Sequence, residues 1–169
     1  MDLRKTILTA HSKAQTEKIV QWIGSDQQRF DELFSLFIHD EYRVVQRASW
    51  PLGNAVEAHP SFITPHFSSL LSNLEKPGLH DAVIRNTVRI LQFVTIPEKF
   101  QGQIMNLCFD YITDPKEKPA VKASSLTVLQ NLSRQYPEIK NELKIVIESQ
   151  WENESAAFRS RATKILKEL

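Results

Sequence analysis

The side chains best suited to chemistry in this sequence are five histidines, one cysteine and 20 carboxylates, and their spacing matches no catalytic or metal-binding motif. The histidines are His11, His39, His59, His66 and His80. They form no His-Glu-x-x-His motif, and none is paired with cysteine at the spacing of a structural zinc site. The four glycines are too scattered to build a phosphate-binding loop. The sequence therefore predicts a protein that is not an enzyme and that uses neither a metal ion nor a cofactor.

The cysteine content and the hydropathy pattern bear on the compartment. Cys108 is the only cysteine, so no intrachain disulfide can form, and we expect a small buried apolar residue there. The N-terminal stretch lacks the apolar core of a signal peptide, and no apolar run approaches the roughly 18 residues of a membrane span. Lysine and arginine number 21 against 20 aspartates and glutamates, so net charge indicates no partner. These features favour a soluble cytoplasmic protein with no membrane partner.

The functional side chains of this protein must be positioned by helices. Its apolar residues recur at offsets of three and four, which is the spacing of an amphipathic helix. The pattern is clear at Phe30, Leu33, Phe34 and Phe37. No segment combines strict alternation with a tight-turn signal, so no hairpin is expected. Gly24 indicates a helix end, and Ser25-Asp26 indicates the N-cap of the next helix. The predicted helices are 12–23, 26–38, 41–58, 61–75, 80–95, 98–113, 118–135, 138–150 and 155–168, with a short turn at 2–9.

Two periodic signals divide these helices into repeated pairs. Pro60, Pro97 and Pro137 open similar segments and are 37 and 40 residues apart. Half a repeat away, a basic residue precedes an apolar helical run at separations of 42, 37 and 37. Those basic residues are Arg43, Arg85, Lys122 and Arg159. A two-helix unit with this period is typical of helical solenoids, because a single hairpin cannot bury its own apolar face.

The segments DPKEKPAVKASSLTVL and FRSRATKIL carry a resemblance to HEAT repeats, with armadillo-like packing as the nearest relative. In that pattern a first helix, A, ends near an aspartate, and a second helix, B, begins with Val-Arg or Val-Lys before small residues and leucine. Asp114, Val121, Lys122 and Leu129 fall on it. The expected fold class is all-α, an α-α superhelix of stacked two-helix repeats in a single domain, 1–169. The expected divisions are a cap at 1–25 and repeats at 26–58, 59–95, 96–135 and 136–169.

Three details of side-chain placement follow from the same helices. Leu107 and Leu129 are expected to face the core between paired helices. Pro51, inside the helix 41–58, removes one backbone donor and predicts a kink beside Trp50. The last helix keeps the apolar residues Phe158 and Ile165 together with Leu169, which would allow weak end-to-end homodimerisation.

Charge divides unequally between the two helix types. On the predicted bounds with short flanks, the A helices carry four cations and nine carboxylates, net −5, and the B helices carry eleven cations and seven carboxylates, net +4. The resemblance implies that B helices line a concave face, which would then be mildly basic. The candidate binding residues there are Arg47, Trp50, Arg89 and Lys164. The alternative for Arg43, Arg85, Lys122 and Arg159 is a structural ladder of polar side chains that bridges adjacent repeats.

Two functions remain open at this point. The first is a non-enzymatic scaffold whose B-helix surface binds a protein or an acidic peptide. The second is a DNA-binding protein similar to the HEAT-like DNA alkylation-repair glycosylases, in which Trp50 with Asp40 or Asp81 would imitate the aromatic and carboxylate site. The near-neutral charge disfavours nucleic acid, because a phosphate-tracking surface needs an excess of lysine and arginine.

Overall fold

The computed structural model describes all 169 residues and contains helices but no strand, which confirms the all-α prediction. Two of the helical segments, Pro60–His66 and Trp151–Asn153, are 3₁₀. The α-helices are α1 (Leu3–Thr9), α2 (Lys13–Ile23), α3 (Gln27–His39), α4 (Tyr42–Ala58), α5 (Phe67–Leu74), α6 (Asp81–Leu91), α7 (Glu98–Thr113), α8 (Pro119–Ser133), α9 (Ile139–Gln150) and α10 (Ala156–Leu166).

Polar side chains just before several helices fix where those helices begin. The Asp26 carboxylate accepts hydrogen bonds from the first free N–H groups of α3, and the Ser155 hydroxyl does the same for α10. Pro119 occupies the first position of α8, where its missing N–H costs nothing. Gly24 ends α2 at a φ of +53°, a conformation that strongly favours glycine. The predicted stop at Gly24 and the predicted N-cap at Asp26 are thus both confirmed.

The segment predicted as one helix over 61–75 is divided in the structure. Residues Pro60–His66 form a 3₁₀ segment, and the α-helix begins only at Phe67. Pro65 is the physical reason, because it supplies no N–H and its ring clashes with the carbonyl four residues earlier. Pro51 has a milder effect, since α4 continues through it to Ala58. The kink expected beside Trp50 stays a prediction.

The chain forms two compact units, Met1–Val94 (unit 1) and Thr95–Leu169 (unit 2). The core of unit 1 is aromatic where α3 meets the 3₁₀ segment Pro60–His66. The ring of Phe30 stacks on Phe62 with centroids 5.0 Å apart, and the ring of Phe34 stacks on His66 at 4.2 Å. The A helix α3 packs on the B helix α4, which in turn packs on the next B helix, α6.

In unit 2 the A helix α7 packs on the B helix α8, and α8 packs on the last B helix, α10. The buried face of α7 is an offset-of-four stripe, Ile104, Cys108 and Ile112. Cys108 is completely buried, and this burial raises the pKa of its thiol to about 12 although the Ser125 hydroxyl opposes the shift. Leu129 is completely buried as expected, whereas Leu107 is only half-buried, so the prediction that Leu107 faces the core is wrong.

The terminal helix α10 has its apolar face occupied within unit 2. Phe158 is completely buried and Ile165 is 1% exposed. These residues are therefore not available for end-to-end contact with a second copy. The division into a cap and four repeats stays a prediction, although the boundary between the two units falls within one residue of the predicted boundary at 95/96.

Replacement of Gly24 by alanine is expected to destabilise the protein by on the order of 1–3 kcal/mol, because a side chain strains the backbone at this φ. The nearest atom to an added Cβ is the Gln21 carbonyl oxygen at 3.7 Å, so the cost comes from the backbone and not from a clash. Urea denaturation followed by circular dichroism measures it. Gly102→Ala is the matched control: Gly102 lies inside α7 with open space around it, and alanine there should stabilise by about 0.5–1 kcal/mol. Equal effects at both positions would contradict the strain at Gly24.

Candidate functional site

The B helices carry the positive charge of this protein. Within the observed bounds, α4, α6, α8 and α10 contain eight lysines and arginines and two carboxylates, a net charge of +6. The A segments (α3, Pro60–His66, α5, α7 and α9) contain four cations and six carboxylates, a net charge of −2. The net positive charge of the B helices is thus larger within the observed bounds than within the predicted ones. The predicted bounds and their flanks contained several carboxylates that lie in turns in the structure.

Arg47 on α4 is directed toward the end of α1. Its Nη1 donates to the Leu8 carbonyl oxygen at 2.7 Å, and the side chain is half-buried. Carbonyls in the last turn of a helix have no intrahelical partner and attract cations, so this contact satisfies the end of α1. Trp50, one turn further along α4, packs edge-on against His11, with ring centroids 5.9 Å apart. Arg47 and Trp50 together fasten α4 to the N-terminal segment.

Arg89 on α6 reaches back to α4. Its guanidinium donates to the Asn54 Oδ1 at 3.0 Å and forms an ion pair with Glu57. Gly53 makes this approach possible, because a Cβ there would lie 3.3 Å from the Arg89 guanidinium and 3.4 Å from the Asn86 amide oxygen. Arg89 therefore links two neighbouring B helices.

Lys122 on α8 forms the most buried ion pair in the protein. Its Nζ lies 2.5 Å from a carboxylate oxygen of Glu154, and the two side chains are 4% and 9% exposed. Both residues line a cavity of about 510 Å³ beside the turns that precede α8 and α10. A second contact joins α8 and α10 directly, since the Arg161 guanidinium on α10 donates to the Thr127 hydroxyl on α8.

These links share a sequence separation close to one repeat. Arg47 and Leu8 are 39 residues apart, Arg89 and Asn54 are 35 apart, and Lys122 and Glu154 are 32 apart. Sequence reasoning missed the partners Asn54, Glu57 and Glu154. The signal that could have found them is a polar or acidic residue about one repeat away from each B-helix cation.

The remaining predicted residues lie at the surface. Arg43, Arg85, Arg159 and Lys164 are all exposed. The structure thus places Arg47 and Arg89, predicted to bind a partner, in contacts within the chain, and it places three residues predicted to form a ladder in solvent. Trp50 is half-buried. The division of these eight residues between binding and ladder roles stays a prediction.

Asp40, one of the two carboxylates considered for a glycosylase-like site, has a partner within the chain, and so does Asp31. The Arg4 guanidinium donates two hydrogen bonds to Asp40, at 2.9 and 3.1 Å, and holds the pKa of that carboxyl below its usual value. Asp31 accepts from Gln27 at 2.7 Å and lies 2.6 Å from His66 Nε2. Burial alone would raise the pKa of Asp31, but these two hydrogen bonds outweigh burial and leave the pKa lowered. Both carboxylates therefore stabilise the fold as ionised groups.

The titratable side chains of this protein form no further candidate site. No group of three histidine, cysteine, aspartate or glutamate side chains is placed to hold a metal ion. None of the helices combines the length and the hydropathy needed to cross a membrane.

A family model described as a HEAT repeat domain matches residues 3–169. This match covers the helices of both units and agrees with the paired A and B helices described above. The chain belongs to the HEAT-repeat family. No curated protein and no solved structure shows significant similarity to it.

As a HEAT-repeat domain, this protein is a helical-repeat scaffold of a family that generally mediates protein interactions and is typically non-enzymatic. Several B-helix cations of this HEAT-repeat domain join neighbouring helices, and the others remain exposed.

Proposed function

We propose that this HEAT-repeat domain binds an acidic segment of a partner protein on the exposed surface of α4 and α6 in unit 1. The observation that carries the proposal is the state of Arg43 and Arg85. Both are exposed, and neither forms an ion pair, whereas Arg89 on the same pair of helices is paired with Glu57. An exposed arginine without a carboxylate partner keeps its charge available to steer and bind an anionic ligand.

Aromatic side chains on or directly after the same two helices support a protein ligand over a purely electrostatic one. Phe93, just after α6, is 39% exposed and lies 6.0 Å from the Arg89 guanidinium. Trp50 on α4 is half-buried. Aromatic residues and arginine are enriched at protein interfaces, since they combine apolar area with directed hydrogen bonds. In this proposal Arg43 and Arg85 bind carboxylates, Trp50 and Phe93 supply apolar contact, and Arg47 and Arg89 hold the helices in place.

Charge reversal in the Arg43→Glu/Arg85→Glu variant should abolish binding of a fluorescein-labelled peptide rich in glutamate and leucine, measured by fluorescence anisotropy. The fold should survive, because each exposed charge contributes less than about 1 kcal/mol of stability. Lys13→Glu/Lys18→Glu on α2 is the matched control, since it makes the same change in net charge at exposed positions of the same unit. If both double variants bind equally, the surface is only a solvated helix face.

Salt dependence separates the two candidate partner classes. Duplex DNA should lose affinity by about 0.9 log unit per log unit of salt for each phosphate contacted. A peptide should show a shallower slope and keep an apolar contribution. Arg159→Glu/Lys164→Glu tests the exposed cations of α10 in unit 2 separately. Steep salt dependence with DNA, together with no binding of the peptide, would replace this proposal by the DNA-binding alternative.

A further inference from the structure

The helix α9 in unit 2 presents one of its faces to solvent. Its buried side is an offset-of-four stripe, Ile139, Leu143 and Ile147. Because an α-helix has 3.6 residues per turn, residues at offsets of three and four also share the opposite side. Four exposed residues lie there: Glu138, Glu142, Ile145 and Ser149. We refer to these four residues as the α9 face.

An isoleucine lies between carboxylates on the α9 face. Ile145 is 55% exposed, which by itself indicates no site, because single exposed apolar residues are ordinary on protein surfaces. Its neighbours Glu138 and Glu142 form no ion pair within the chain, whereas Glu148 at the edge of the face is paired with Lys144 at 4.0 Å. The α9 face therefore offers one apolar group together with two available negative charges.

The surface of α4 and α6 that we propose for acidic ligands has the opposite chemistry. Arg43 and Arg85 are exposed without a carboxylate partner, and Phe93 adds an aromatic ring that is 39% exposed. A guanidinium group binds a carboxylate through two parallel hydrogen bonds, and an aromatic ring packs well against an aliphatic side chain. Two carboxylates and an isoleucine thus match two arginines and a phenylalanine in both charge and polarity.

We propose that the acidic segment bound by α4 and α6 is the α9 face of a second copy of this chain. Its two glutamates pair with Arg43 and Arg85, and Ile145 packs against Phe93. This inference rests on the proposed function, because it uses the same arginines. The two surfaces differ, so the contact is heterologous, and copies join in rows or closed rings and not in a symmetric dimer.

The size of the two surfaces makes this a weak contact. A single helix face and a few side chains on two helices bury less than the roughly 1,200 Å² at which standard interfaces begin. Both ion pairs form at the surface, where salt screens them. Self-association therefore depends on protein concentration and decreases as salt is added.

Sedimentation velocity of the full chain tests this inference. Between about 10 μM and about 1 mM, the weight-average sedimentation coefficient of the wild-type chain should rise with concentration, as expected for a weak contact. Arg43→Ala/Arg85→Ala and Glu138→Ala/Glu142→Ala should each lower the association constant at least about tenfold, because each leaves two charges of the other copy without partners. A wild-type chain that stays monomeric over this range overturns the proposal.

Glu32→Ala/Glu75→Ala is the matched control for the glutamate variant. It also removes two exposed carboxylates that form no ion pair, but from α3 and from the end of α5. Its association constant should equal that of the wild-type chain, and circular dichroism should show the same helix content for all the variants. An equal loss of association in the control would mean that only net charge matters, and this overturns the proposal.

An equimolar mixture of the two alanine variants tests whether the two surfaces bind each other. The arginine variant keeps an intact α9 face and the glutamate variant keeps both arginines, so one wild-type contact can form between them. The mixture should therefore give a 1:1 dimer with the wild-type affinity and nothing larger, although each variant alone stays monomeric. No recovery in the mixture, or complexes larger than a dimer, overturns the proposal.

The labelled peptide rich in glutamate and leucine separates failure of this inference from failure of the proposed function. Peptide binding that requires Arg43 and Arg85, together with a wild-type chain that stays monomeric, overturns the inference and leaves the proposed function intact with a different protein as partner. Where both are right, unlabelled peptide should dissociate the self-associated chain, because the peptide and the α9 face occupy the same arginines. Self-association that is unchanged in Arg43→Ala/Arg85→Ala, together with no peptide binding, overturns both.

Discussion

Glu154→Ala should destabilise this HEAT-repeat domain by about 3–5 kcal/mol, the largest effect we expect from a single polar substitution in the chain. The reason is the position of Lys122, whose side chain is 4% exposed and whose ammonium group has the Glu154 carboxylate at 2.5 Å. Removing the carboxylate leaves that ammonium buried without its partner. Urea denaturation followed by circular dichroism and by the fluorescence of Trp151, the one tryptophan of unit 2, measures the loss.

The double variant Lys122→Met/Glu154→Leu is the control for that substitution. Replacing a buried ion pair by apolar groups of similar volume is often neutral or stabilising by about 1–4 kcal/mol, because neither charge then has to leave water. The double variant should therefore recover most of the stability that Glu154→Ala loses. A second comparison is Arg134→Ala, which removes an exposed pair with Glu168 at 3.9 Å and should cost less than about 1 kcal/mol. A loss as small as this for Glu154→Ala would show that the buried pair contributes little.

Leu129→Ala should cost about 2–5 kcal/mol, because the residue is completely buried in α8 and the substitution leaves a cavity. Its helix packs against both α7 and α10, so neither neighbour can move in to fill the space without disturbing the other. Thermal and urea denaturation should both detect the change, which is large for a domain of this size.

Leu107→Ala is the matched test of helix orientation. Leu107 is half-buried, since the buried stripe of α7 consists of Ile104, Cys108 and Ile112. The cost should be less than half of that at Leu129, because less apolar surface returns to water and no closed cavity forms. Comparable losses at the two leucines would mean that α7 is rotated relative to its position in this structure.

Helix location was largely predictable because its determinants are local. Offsets of three and four marked the apolar faces, and Asp26, Gly24 and Pro119 act at helix ends through hydrogen bonds or backbone angles within a few residues. The family was predictable for a related reason. A repeat of about 40 residues places similar residues at similar positions, and this regularity is visible without coordinates.

Which residues of a helix face the core was less predictable from the sequence. The α7 sequence contains apolar residues over more than half of its circumference, so its pattern admits both Leu107 and Cys108 as core positions. Only packing against α8 decides between them. The division at Pro65 was missed because the apolar spacing continues across the proline, whereas the backbone hydrogen bonding does not.

What the sequence by itself determined is the all-α class, the positions of the helices apart from the segment divided at Pro65, the family and the excess of positive charge on the B helices. What only the tertiary structure decided is which of those cations have a hydrogen-bond or ion-pair partner within the chain. Arg47 and Arg85 are chemically identical in the sequence, yet one donates to the Leu8 carbonyl and the other is exposed. Each paired cation depends on a residue about one repeat away: the Leu8 carbonyl accepts from Arg47, Gly53 leaves room for Arg89, and Glu154 pairs with Lys122. Such partners are determined by how neighbouring helices pack, and a local sequence pattern does not show which residues one repeat apart come into contact.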